Sequence, residues 1–337
     1  MAVTRAGWAR EYGIVISEKK PTPPPTRAAV QRRLDPELAA INVLIPRFDL
    51  ADLDGSRRYE AELAAQGRAT IPGVTRADET VPGRDGNAIP IRLYRPESAP
   101  GALPVLLYIH GGGFMLGGLH TEEERCELYA KEVGCVVVGV DYRLAPEHPF
   151  PAAYTDCLDV VIWLADNSAR LGLDRHRIAV GGNSAGGALA ASIALACRDA
   201  RYPTLVHQLL INPVLDARGS TPSATAFTDT PVWTRADNEL MWATYLGSSA
   251  ELPDFRASPS LVDSVAGVAP TSLWIAEHDP LRDEAYEFAA RLLAAGVPLG
   301  LQQYPGTFHG FDSYRMTKIG KRALDDQVWA LRTAFTR

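Results

Sequence analysis

From about residue 100 onward, the chain alternates short, continuously apolar runs with longer stretches of mixed polarity. The runs are Val105–Ile109, Cys135–Val140, Arg177–Val180, Leu205–Ile211, Ser272–Ala276 and Leu299–Tyr304. Apolarity without alternation predicts strands covered on both faces, as in a parallel sheet. The stretches between them, Glu122–Val133, Ala152–Asn167, Ala185–Asp199 and Arg282–Ala295, have the length and composition of helices. Strand and helix in alternation specify an α/β fold, a doubly wound sheet with helices on both faces. Upstream the period is different. From Glu79 two alternating stretches flank Asp85-Gly86, and Ala88–Tyr94 alternates as an antiparallel strand does.

Residues 1 to about 75 read as helical and loosely built. The prolines of 21–26 form a stiff break that cannot lie inside a helix. Asp35-Pro36-Glu37 then supplies an N-cap and a first-turn proline for a helix running to Ile45, and Ser56–Ala65 gives a second short helix. Between Asp216 and about Phe255 the alternation breaks. Turn residues there are mixed with aromatics that look exposed, Phe227, Trp233, Trp242 and Tyr245, as in an insertion.

Composition narrows the function classes. The 337 residues are 46% apolar and 22% charged, which excludes a disordered or coiled-coil chain. That length suits two domains or one large domain with an insertion. A formal net charge of −6 without a basic stripe argues against nucleic acid. The N-terminal apolar stretch around Gly13–Ile16 is too short for a secretory leader, and no window approaches a membrane span. Cys126, Cys135, Cys157 and Cys197 lack metal or disulfide spacing, and no histidine pair has helical ligand spacing. The expectation is a cytoplasmic protein with buried free thiols, no metal, no cofactor and no membrane partner.

The chemistry is concentrated in three places. Gly182-Asn183-Ser184-Ala185-Gly186 lies between a strand and a helix and fits G-x-S-x-G, the nucleophile elbow, with Ser184 at a helix N-terminus where N–H groups favour negative charge. His110-Gly111-Gly112-Gly113-Phe114 ends the Val105–Ile109 strand. It lacks the Lys-Ser/Thr of a phosphate loop and the G-x-G-x-x-G spacing, and matches the HGGG type that supplies oxyanion-hole donors. The expected donors are Gly112, Gly113 and Ala185, with Gly111 in the same loop and His110 orienting that loop through its ring.

A serine nucleophile needs a base and an acid to orient it. His309 follows the last strand. Asp279 ends the preceding one, with Glu277 and Asp283 as rivals; Asp283 suits the first turn of the following helix. His278 reads as a loop residue and His207 as part of a strand.

Together these motifs, with Asp141–Ala152 (DYRLAPEHPFPA) and Asp279–Glu284 (DPLRDE), resemble the hormone-sensitive-lipase family of α/β-hydrolases, in its microbial esterase branch, over residues 80–315. The resemblance implies an eight-stranded, mostly parallel core with a helical cap. Residues 1–75 would give the N-terminal part of the cap, 76–215 and 256–337 the catalytic domain, and 216–255 the cap insertion. It implies hydrolysis of short- to medium-chain carboxylic esters through an acyl-enzyme on Ser184, His309 and Asp279. It also suggests a homodimer through the last strand, Leu299–Tyr304. Amides, carbamates or lactones could serve the same triad, and a non-catalytic receptor-like relative would lack the histidine. Phe114, Phe227, Trp233 and Trp242 are expected to line the substrate pocket. Many members carry Asp or Thr before the nucleophile, where this chain has Asn183. Asp141, Arg143 and Glu147 are expected to pair with one another and fix their loop.

Overall fold

The computed structural model describes residues 27–44, 49–67, 70–247 and 253–336. The proline run of 21–26, the rest of the N-terminal segment, Ile45 and residues 248–252 of the insertion lie outside the described residues. Eight strands form one sheet: β1 (Val74–Pro82), β2 (Ala88–Pro96), β3 (Leu103–Ile109), β4 (Val136–Val140), β5 (Leu173–Asn183), β6 (Leu205–Ile211), β7 (Thr271–His278) and β8 (Leu299–Phe308). Their order is β1-β2-β4-β3-β5-β6-β7-β8. The hairpin β1–β2 and the β2–β4 pair are antiparallel, and every other neighbour is parallel.

The burial of the parallel strands explains their continuous apolarity. Along β3, Val105, Leu107 and Ile109 enter one core while Leu106 and Tyr108 enter the other. Leu273 and Ile275 of β7 alternate with Trp274 and Ala276 in the same way. Successive side chains of a strand point to opposite faces, so a sheet packed on both sides needs an apolar residue at every position. The first core holds the helices Ala152–Asp166, Ala185–Ala200 and Arg282–Ala294; the second holds Glu123–Tyr129 and Lys318–Thr336.

Several boundaries differ from the sequence reading. The helix expected to run to Ile45 spans Pro36–Asn42, with Asp35 accepting from the N–H groups of Glu37 and Leu38. The next helix starts earlier than Ser56, at Leu53, because Asp52 caps it through Gly55 N–H. The stretch ending at Val133 leaves α-geometry at Tyr129 and finishes as a π-helical turn, Ala130–Gly134. Lys318–Thr336, for which no element was expected, is a helix of 19 residues. Its buried Ala323, Leu324, Val328, Leu331 and Phe335 do carry the helical period.

The insertion aromatics are the main correction. Phe227, Trp233, Trp242 and Tyr245 are all buried: Trp242 and Tyr245 because the helix Arg235–Leu246 turns its apolar face onto the core, Trp233 in the same core just ahead of that helix, and Phe227 against His278. The charged residues of Asp141–Ala152 also pair differently from expectation. Arg143 binds Asp156 and Asp85, and Glu147 binds Arg57 of the helix Leu53–Ala65. Asp141 binds neither of its expected partners; its carboxyl is half-buried, which raises its pKa.

Candidate active site

Strand order places the chemistry. β5 lies beside β3, and both run parallel, so the loop after Ile109 meets the turn after Asn183. β7 and β8 follow on the same edge, and their C-terminal ends release Asp279 and His309. Ligands in open α/β sheets bind outside the carboxyl ends of strands, where all three motifs converge.

The turn at Ser184 is tight and strained. Ser184 has φ 56°, a positive value that residues with a side chain rarely adopt, and its N–H is held by Ile211 O at 2.8 Å. The helix behind it passes so close to β3 that a Cβ on Gly186 would lie 2.1 Å from Ile109 O. This close approach is the local reason for the glycines of the elbow. Gly112 is fixed twice over: its φ is 110°, and a Cβ there would meet Leu116 O at 2.2 Å.

Ser184 Oγ donates to His309 Nε2 at 2.9 Å, and His309 Nδ1 donates to Asp279 Oδ2 at 2.7 Å. A carboxylate can only accept, so the Nδ1–H tautomer follows and leaves Nε2 free to take a proton. Leu281 N–H donates to the other oxygen, Asp279 Oδ1, at 2.9 Å. All three side chains are buried. The rivals of Asp279 are engaged elsewhere. Glu277 accepts from Arg33 and from Gly306 N–H. Asp283 accepts from Ser223 N–H and from Arg282. His278 packs edge-on to Phe227.

Among the described residues, the N–H groups of Gly112, Gly113 and Ala185 have no hydrogen-bond acceptor. Ala185 is the first residue of its helix, so its N–H is one of the donors left free at a helix start. Gly111 lies against the elbow: a Cβ there would sit 3.1 Å from Asn183 O. His110 holds the loop as expected. Its Nδ1 donates to Gly111 O at 2.7 Å, its ring stacks on Tyr142 at 4.2 Å, and its own carbonyl accepts from Tyr142 Oη.

Burial lowers the pKa of His110 from 6.5 to about 4, so the folded protein refuses a proton that the unfolded chain binds. Stability is therefore expected to fall as pH drops from about 6.5 to about 4, by up to roughly 3 kcal/mol from this ring. Urea denaturation from pH 7 to 4.5 should show a larger loss for the wild type than for His110→Gln. Parallel losses in the two proteins would rule out the neutral buried ring.

A cavity of about 230 Å³ opens on Ser184 and His309. Gly111, Gly112, Gly113 and Trp233 line it, whereas Phe114, Phe227 and Trp242 do not. Phe114 stacks on Tyr245 at 3.8 Å behind the glycine loop, and Trp242 packs on Phe114. Phe227 lies beside His278 and under Arg282. The apolar surface of Phe114 and Trp242 goes into the core, which sequence cannot tell from pocket lining. The wall also contains residues without a local sequence signal: Leu50, Glu60, Thr121, Glu122, Val232, Asp237 and Tyr314.

The segments outside the sheet dock on the glycine loop. Arg57 donates to Met115 O and Ala145 O, and Gly117 N–H donates to Glu60. Val30, Leu34 and Leu38 pack with Tyr304, Phe308 and Phe311, around the loop that carries His309.

Comparison with known proteins decides the family. The α/β-hydrolase-fold profile matches residues 106–313, more than half of the chain. The chain belongs to this family. It lies in the hormone-sensitive-lipase-like, microbial esterase branch. Carboxylesterase NlhH of Mycobacterium tuberculosis is 39% identical over 246 residues, covering 72% of this chain and 77% of its own. The ethyl acetate hydrolase of Pseudomonas putida is 36% identical over 294 residues, covering 82% and 92%. The structure of a bacterial heroin esterase matches with a TM-score of 0.87 and 40% identity, over 90% of this chain and 98% of that one. No helix among the described residues of this α/β-hydrolase is long and apolar enough to cross a membrane.

Proposed function

We propose that this α/β-hydrolase is a serine carboxylesterase for short- to medium-chain esters, with Ser184 as nucleophile, His309 as base and Asp279 as the acid that orients it. Carboxylic ester hydrolysis is its activity: relatives named for that reaction cover most of the chain. The observation that carries the residue roles is the unbroken hydrogen-bonded series Asp279–His309–Ser184, opening on a cavity beside free N–H groups.

Ser184 Oγ attacks the acyl carbon while His309 Nε2 takes its proton. The carbonyl oxygen becomes an oxyanion held by the N–H groups of Gly112, Gly113 and Ala185, with Gly111 shaping the loop; such preorganised donors are worth several kcal/mol. His309 then gives the proton to the departing alcohol. Water attacks the acyl-enzyme, passing a proton to His309, which returns it to Ser184 Oγ as the acid leaves.

The lid is assigned to 1–75 and 216–255, around a catalytic domain of 76–215 and 256–337. The docking of Arg57 and Glu60 on the glycine loop and of Trp233 against Gly113 supports this division. β8 is one of the two outer strands of the sheet, which suits a homodimer formed through it.

A cavity of about 230 Å³ is smaller than the roughly 300–1,000 Å³ of sites for drug-sized ligands. A series of p-nitrophenyl esters is therefore expected to give its highest kcat/KM at acyl chains of about two to eight carbons, falling at least about tenfold by about 16 carbons. A maximum at the long end would overturn the chain-length assignment and leave the ester chemistry standing.

A further inference from the structure

We propose that the cavity selects esters bearing a cationic group, a quaternary or protonated amine, over those bearing an anionic one. The proposal rests on the catalytic reading of Ser184 and gives that site its substrate class.

The wall around Ser184 carries the carboxylates of Glu60, Glu122 and Asp237. Among the described lining residues there is no lysine or arginine, and His309 is bound to Asp279. Arg125 and Arg57 do not cancel this charge, because each is shared with a carboxylate elsewhere. Arg125 binds Glu122 at 2.8 Å and also Asp312 at 2.7 Å. Arg57, on the same helix as Glu60, binds Glu147 at 2.6 Å.

A second observation points the same way. The side chain of Asn183 donates to Glu122 at 3.1 Å, and its Oδ1 is buried with no hydrogen-bond partner. That oxygen, next to the nucleophile but shielded from the cavity, can only accept, and its partial negative charge adds to that of the carboxylates. Trp233 and Tyr314 line the same space, and aromatic rings attract a cation over their faces. Burial also raises the pKa of the Glu60 carboxyl, and a cation beside it would favour its charged form. On the catalytic reading the free N–H groups hold the reacting carbonyl, so a second anion on the substrate would meet the lining carboxylates without a cation to offset them.

Two sets of isosteric esters test this. In the first, acetates of 2-(trimethylammonio)ethanol, 3,3-dimethylbutanol and 2-sulfonatoethanol place a cation, a neutral group or an anion on the alcohol. In the second, ethyl 4-(trimethylammonio)butanoate, ethyl 5,5-dimethylhexanoate and ethyl 4-sulfonatobutanoate place them on the acyl part. In at least one set kcat/KM should follow cation over neutral over anion, with at least about a tenfold ratio between the extremes. Glu60→Gln should shrink the cation-to-anion ratio about threefold or more within that variant. Equal rates across both sets, or an anionic ester matching the neutral one in both, would overturn the proposal alone. An unchanged ratio in Glu60→Gln would overturn the assignment of the preference to this wall. No turnover of any of the six esters would overturn the catalytic reading, and this inference with it.

Discussion

Ser184→Ala is expected to lower kcat/KM on a short-chain aryl ester by about 10⁴- to 10⁶-fold while leaving the fold intact. The size of the effect follows from what the hydroxyl does. Its single hydrogen bond goes to His309, so truncation removes the attacking atom and no structural contact. The strained backbone at φ 56° is held from outside the side chain, by Ile211 O on Ser184 N–H and by Val214 N–H on Ser184 O. Alanine should adopt the same turn, with an unfolding free energy within about 1 kcal/mol of the wild type. The residual rate comes from the oxyanion donors and from binding. Mass spectrometry after treatment with an organophosphonate gives a second readout: one adduct per wild-type chain and none on the variant. Turnover above a few per cent of wild type, or an adduct on the variant, would remove Ser184 from the mechanism.

Much of this site can be read in the sequence because the motifs are local consequences of backbone geometry. The elbow glycines follow from helix and strand crossing within 2.1 Å of a would-be Cβ, and that constraint leaves a contiguous pattern. Asp279 and His309 could be singled out because each follows directly on a strand that apolar periodicity reveals. The aromatic residues could not be placed in this way. Trp233 reaches the cavity while Phe114 and Trp242 stay in the core, although all are large apolar residues near turns or insertions. Which side of the loop each occupies depends on how the helix Arg235–Leu246 packs, a long-range outcome. Glu60 and Glu122 were invisible for the same reason. Each is a charged residue in a helical or polar stretch, where a solvated face is the ordinary outcome, and only tertiary packing turns them toward Ser184. The C-terminal helix is different: the apolar period of Ala323, Leu324, Val328, Leu331 and Phe335 is present in the sequence itself.

The buried polar network behind the nucleophile yields the largest expected change in stability. Arg125 is 6% exposed, and its guanidinium binds Glu122 at 2.8 Å, Asp312 at 2.7 Å, Gln327 at 3.0 Å and Ser313 at 3.3 Å. Gln327 in turn accepts from Tyr129 and donates to Asp312. One side chain thereby ties Glu122, which holds Asn183 beside the nucleophile, to Asp312, three residues beyond His309. Arg125→Met would keep most of the volume but leave two carboxylates in a poorly solvated interior without their cation. Breaking such a pair from one side costs about 3–5 kcal/mol. For a chain of 337 residues that corresponds to a fall in Tm of roughly 4–7 °C. Arg125→Lys should recover only part of this, since an ammonium cannot span several acceptors with a rigid fork. Adding Asp312→Asn to Arg125→Met should return at least about 1 kcal/mol, because one of the stranded charges is gone. Urea denaturation of the three variants measures all of these values. A cost below about 1 kcal/mol for Arg125→Met would mean that water or a rearranged neighbour neutralises the carboxylates, and that Arg125 does not hold the two loops together. The same variants report on catalysis. If the network sets the distance between Ser184 and His309, kcat should fall in Arg125→Met more than KM rises, because the substrate contacts at the cavity wall are still in place.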